Sequence, residues 1–175
     1  MKRVRFGAVL VCLTIGPLVF AQSESPPEFV TIDGSKHPEE VPNWAAWLEA
    51  FRFMAGPDTH DVPIPTTVYR VTSLAERYRL RREALTVIAA EREMNTRATD
   101  VFNTPRTPDT LPKLQARMNA LEMRRRRAAL DARDRVLPTL EAAGQQALLE
   151  FVDQMRKGFR ATVPKSELAQ FRLPE

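Results

Sequence analysis

Proline placement constrains this chain more than any other feature. Prolines at 57, 63, 65, 105, 108, 112, 138 and 164 leave three long proline-free windows, 66–104, 113–137 and 139–163, and no glycine falls between Gly56 and Gly144. A proline inside a helix removes a hydrogen bond and clashes with the preceding turn, so long helices fit only in those windows. Each window is rich in Ala, Leu, Arg and Glu, which lose little side-chain freedom in a helix. No stretch shows convincing alternation at period two, so no sheet is expected. The expected fold is all-α, a small antiparallel helical bundle over 43–160 built on a long helix hairpin. An extended arm precedes it over 22–42 and a tail follows over 161–175.

The periodicity places the faces. Asn43 can cap a first helix in which Trp44, Trp47, Leu48 and Phe51 recur at i, i+3, i+4 and i+7, with Gly56 as its stop. Burying those four side chains contributes on the order of 6–10 kcal/mol. Ser73 with Glu76 forms a capping box, so a long helix starts there or is kinked after a short segment from Thr67. Its apolar stripe runs Leu80, Ala84, Val87, Ile88, Met94, Ala98, Val101, Phe102. A three-proline connector leads to a helix carrying Leu114, Met118, Leu121, Ala128 and Ala132, which Pro138 ends or kinks. A last helix carries Leu148, Phe151, Val152, Met155 and Phe159, and one more short turn is expected near 166–171.

Two charges interrupt these stripes. Glu91 lies between Val87 and Met94, and Arg125 lies four residues beyond Leu121. If the connector folds back near Pro108, both residues are 17 positions from it, which predicts an interhelical Glu91–Arg125 ion pair or two side chains snorkelling to water.

The first 21 residues place Lys2, Arg3 and Arg5 before an apolar run from Phe6 to Phe20, the pattern of a secretory signal peptide cleaved near Ala21. The run is short of the ~20 residues a membrane span needs. Export to the periplasm or beyond is therefore expected. The one cysteine, Cys12, lies in that leader, so the mature chain forms no internal disulfide.

The leader also distorts the charge, which is +4 overall. Three of the 26 Lys+Arg and none of the 22 Asp+Glu belong to it, so the mature chain carries +1. That charge is polarised: residues 22–66 hold 2 basic and 8 acidic side chains, 67–135 hold 16 and 9, and 136–175 hold 5 and 5. The favoured expectation is that the acidic arm folds against the basic hairpin. Pairs four residues apart, Glu122 with Arg126 and Asp131 with Arg135, are expected on a solvated face. The run Arg124 to Arg127 circles its helix at about 100° per residue, so it does not make a one-sided patch. Arg117, Arg124 and Arg126 are the candidate surface for an anionic polymer or lipid.

Chemical motifs are scarce. His37 and His60 are the only histidines, and Asp58, His60 and Asp61 offer poor metal-ligand spacing. Ser35, Ser73 and Ser166 sit in no nucleophile elbow, and no glycine-rich phosphate loop occurs. Catalysis, a cofactor, a metal and a nucleic-acid partner are accordingly not expected. The segment Ile32-Asp33-Gly34-Ser35-Lys36-His37-Pro38-Glu39-Glu40-Val41-Pro42-Asn43-Trp44 resembles the start of a group of uncharacterised exported bacterial helical proteins. The resemblance implies export and a helical fold and supplies no activity. The resulting expectation is a non-enzymatic helical interaction or chaperone-like protein of the cell envelope, its partner unidentified and its number of copies open, or else an envelope protein holding an anionic polymer.

Overall fold

The computed structural model describes residues 27–56 and 64–172. The leader and the Asp58, His60, Asp61 group lie outside the described residues. Along the chain come β1 (Phe29–Asp33), α1 (Asn43–Met54), α2 (Thr66–Val71), α3 (Leu74–Asn103), α4 (Leu111–Val136), α5 (Ala142–Gly158), β2 (Arg160–Pro164) and α6 (Leu168–Phe171). Short 3-10 turns occupy Pro38–Glu40, Leu137–Thr139 and Lys165–Glu167. The chain is mainly helical, and it divides into two compact units, Asn43–Met155 and the described parts of Met1–Pro42 with Arg156–Pro174.

In the first unit, α1 packs on both α3 and α4, which pack on each other. Trp44, Trp47, Leu48 and Phe51 are all buried. Phe53 of α1 and Phe151 of α5 meet with ring centroids 5.2 Å apart. Ser73 and Glu76 form the expected capping box at the start of α3. On α3 the buried positions Leu80, Ala84, Val87, Glu91, Met94 and Val101 follow a heptad rhythm, the seam of helices crossing at a shallow angle. Phe102, expected on that stripe, is exposed because it lies one residue past Val101 and faces outward. On α4 the buried line is Leu114, Ala129, Ala132 and Val136, so Ala129 takes the place expected of Ala128. The alternating line 114, 118, 121, 125 would reach 128, whereas a second step of four from Arg125 gives 129, which with 132 and 136 is the buried phase.

The α3–α4 connector is held by Thr107 and Thr110, whose backbone N–H groups donate to each other's hydroxyls at 2.8 and 3.3 Å. Pro112 falls inside the first turn of α4, where no N–H is needed. Pro138 ends α4 by forcing the 3-10 turn that follows it.

The second unit corrects the all-α expectation. β1 and β2 pair antiparallel, with Val30 opposite Val163 and Ile32 opposite Ala161, so the arm and the tail form a two-stranded sheet. Each strand has only five residues and buries essentially one side chain, Ile32 or Val163. That is too short for alternation to stand out in the sequence, although Val, Ile and Thr favour strands. Beyond β1, Asp33 Oδ1 accepts the Ser35 N–H at 3.0 Å and the Ser35 hydroxyl at 2.6 Å, closing a turn. Gly34 donates to the Phe159 carbonyl at 2.9 Å. A Cβ built on Gly34 would lie 1.9 Å from the Arg156 carbonyl oxygen, whereas one on Gly158 would meet nothing within 4 Å.

Gly34→Ala is therefore expected to destabilise this unit by about 1–3 kcal/mol, because backbone rather than a flexible side chain must move. Gly158→Ala is the control. Denaturant unfolding with hydrogen exchange at β1 and β2 should report the loss for the first and little change for the second.

Candidate functional site

The centre of the Asn43–Met155 unit is charged. Glu91 of α3, only 8% exposed, accepts from Arg52 of α1 through Nε at 3.1 Å and through Nη2 to its other oxygen. Arg125 Nη1 of α4 lies 3.9 Å from the same carboxylate. Arg52 also binds Glu49 one turn back, and Arg125 Nη2 binds Glu122 at 2.7 Å. Arg126 Nε reaches Glu122 at 3.2 Å, and its guanidinium lies 4.7 Å from the Trp44 ring centroid. Three carboxylates face three guanidiniums, so the set is neutral. Burial and the two neighbouring carboxylates oppose each other at Arg52, with the hydrogen bonds and charges winning and raising its pKa further.

Arg125 is thus shared between Glu91 and a closer partner, Glu122, and the main partner of Glu91 is Arg52, which periodicity on two helices did not reveal. The expected Glu122–Arg126 pair forms, whereas Arg135 turns to buried Glu83 at 2.8 Å instead of Asp131. Both Glu83–Arg135 and Glu91–Arg125 are consistent with one antiparallel register about the connector.

A second buried carboxylate does structural work. One oxygen of Glu76 accepts the Ser73 N–H and hydroxyl, both at 2.7 Å, and the other accepts the Glu141 N–H at 2.7 Å. Glu76 thereby serves the beginnings of α3 and α5 together. The Ser73 side chain, then the backbone N–H groups of Glu141 and Ser73, hold its carboxyl below the usual glutamate range.

The four successive arginines divide between inside and outside. Arg126 does not belong to the anion surface expected of it: it is 7% exposed, drawn inward by Trp44 and Glu122. Arg124 and Arg127 face solvent, and with Lys113 and Arg117 they recur at i, i+4, i+11 and i+14. Helical geometry puts them within an arc of about 80° along about 21 Å. None of the four makes a hydrogen bond, ion pair or ring contact among the described residues. The line ends one turn on, at exposed Asp131. The signal for Lys113 and Arg127 in the sequence is the i, i+4, i+11, i+14 spacing they share with Arg117 and Arg124.

The arm's charge is spent elsewhere than expected. Glu28 pairs with Lys165 at 2.9 Å, Asp33 with Arg160 at 3.4 Å and Glu40 with Arg172 at 3.1 Å. The β1–β2 register sets Asp33 opposite Arg160, so these three acids of the arm find cations within their own compact unit.

Of the other candidates, His37 lies 3.2 Å from Glu39, the Ser35 hydroxyl closes its turn and Ser73 caps α3. No cluster of three His, Cys, Asp or Glu suited to a metal occurs among the described residues. No protein-family model, curated protein or solved structure matches the chain.

Two predictions follow from the buried carboxylates. Glu91→Ala should cost about 1–3 kcal/mol in urea unfolding, since it leaves Arg52 with Glu49 alone and Arg125 with Glu122 alone, and Arg52→Ala should cost less in that background than in the wild type. Glu76 contributes stability above its unfolded pKa, and this is lost as pH falls through its lower folded pKa. Glu76→Gln should cost about 1 kcal/mol at neutral pH, and its deficit relative to wild type should shrink on acidification.

Proposed function

We propose that the chain is an exported, non-enzymatic interaction protein of the cell envelope whose helical hairpin holds an anionic polymer. The observation that carries this reading is the line of Lys113, Arg117, Arg124 and Arg127 on α4. These are exposed cations with no partner among the described residues, on a helix whose inward arginines are all engaged. A row of exposed charges along one helix face suits a repeating polyanion, which it meets one charge after another, better than a single small ligand. The resemblance of residues 32–44 to exported helical proteins supports the compartment, and the leader supports it independently.

The test is binding of the purified mature chain to a poly(glycerol phosphate) of defined length. Affinity should fall at least tenfold between roughly 50 mM and roughly 300 mM NaCl, because each neutralised phosphate releases counterions. The triple variant R117Q/R124Q/R127Q should keep its helical spectrum, since all three side chains are exposed, and lose most of the binding. Salt-independent binding, or equal binding by the triple variant, would refute the proposal.

A further inference from the structure

The outermost face of α3 should be the most polar in the helical unit. Instead Leu74, Tyr78 and Leu85 recur there at i, i+4 and i+11, within an arc of about 40°. They lie on the side of the helix away from the buried line of Leu80, Ala84 and Val87. Leu74 is 78% exposed and Tyr78 70%. Tyr69 and Val71 of α2 are exposed as well, and the Arg77 guanidinium lies 3.9 Å from the Tyr69 ring centroid, which ties α2 to this end of α3.

The exposed charge of the α2–α3 stretch itself has one sign, with exposed Glu141 at the start of α5 the acid nearby. Residues 66–85 contain Arg70, Arg77, Arg79, Arg81 and Arg82 but only two acids, Glu76 and Glu83. Both acids are buried, the first capping two helices and the second paired with Arg135 at 2.8 Å and with Arg82 at 3.4 Å. Arg81 is turned onto the Met54 and Gly56 carbonyls at the end of α1. Arg70 and Arg82 remain exposed beside the apolar residues, with Arg77 half-buried between them.

We infer that this α2–α3 elbow is a membrane-docking surface. Leu74, Tyr78 and Leu85 enter the headgroup region of an anionic bilayer while Arg70, Arg77 and Arg82 meet lipid phosphates. Charge complementarity argues for an anionic occupant and against a second copy of this chain, whose like charges would oppose it. The geometry argues for a lipid surface over a peptide, because the apolar side chains project from the convex back of a helix and do not line a groove. Tyrosine, with an apolar ring and a polar tip, suits the bilayer interface. Contact would be peripheral, since no helix among the described residues is long and apolar enough to cross a membrane. This surface is separate from the α4 line, and the inference does not rest on the polymer-binding reading.

The test is co-sedimentation of the mature chain with vesicles of one part phosphatidylglycerol to three parts phosphatidylcholine, and with phosphatidylcholine alone. The wild type should bind the anionic vesicles and bind the neutral ones severalfold less, with affinity falling as salt is raised. L74S/Y78S should reduce partitioning at least about tenfold, both in the wild type and in the R117Q/R124Q/R127Q background, which separates this surface from the α4 line, and Leu149→Ser, at an exposed leucine of α5, should leave it unchanged. Tyr78→Trp should gain emission that brominated lipid quenches beyond the quenching of the native tryptophans. The inference is overturned if the wild type ignores anionic vesicles, if L74S/Y78S binds them equally, or if Tyr78→Trp gains no quenching. Binding of polyglutamate that L74S/Y78S abolishes, without vesicle binding, would assign the surface to an acidic peptide and overturn it too.

Discussion

The Glu91 carboxylate is the point on which the helical unit turns. It sits on the α3 seam where a leucine would pack at lower cost, and it takes Arg52 from α1 and shares Arg125 from α4. A buried ion set is a weak source of net stability, because desolvation offsets most of the Coulombic attraction. What it supplies is register. Sliding α4 by one turn would set Glu91 against apolar side chains and leave Arg125 buried without that carboxylate, a penalty that apolar seams of Ala and Leu do not impose by themselves.

The same constraint sorts the chain's positive charge. Arg52, Arg125, Arg126 and Arg135 each bind a glutamate, and the tail's cations bind the arm's acids across a short sheet. The sum of charge therefore hides two kinds of arginine. Those inside hold helices together and are silent toward partners. The α4 line has no partner among the described residues, and at the α2–α3 elbow Arg82 touches Glu83 at 3.4 Å while staying exposed, so both proposed surfaces are built mainly from cations that face water.

Several positions of the segment 32–44 do structural work. Ile32 fills the buried face of β1, Asp33 closes a turn on Ser35, Gly34 admits the Arg156 carbonyl, and Val41 is buried while its own carbonyl accepts from Arg156 at 3.3 Å. Trp44 then receives Arg126. These positions carry packing or turn requirements of the fold.

Much of the helical architecture was legible in the order of residues. Proline spacing bounded the long helices, Ser73 and Glu76 marked a start, and apolar periodicity assigned most of the buried faces, because these are local effects within a few turns of chain. The β1–β2 pairing was not legible: strands of five residues carry too little pattern, and their partners are more than a hundred residues apart. Nor was the fate of individual arginines. Four in succession have the same local propensity, and only the placement of Trp44, Glu91 and Glu122 decided that Arg125 and Arg126 turn inward while Arg124 and Arg127 face water. By itself the sequence determined where helices run and how much charge they carry. Tertiary structure alone decided which charges neutralise one another, because that depends on distances between elements that no single helix contains.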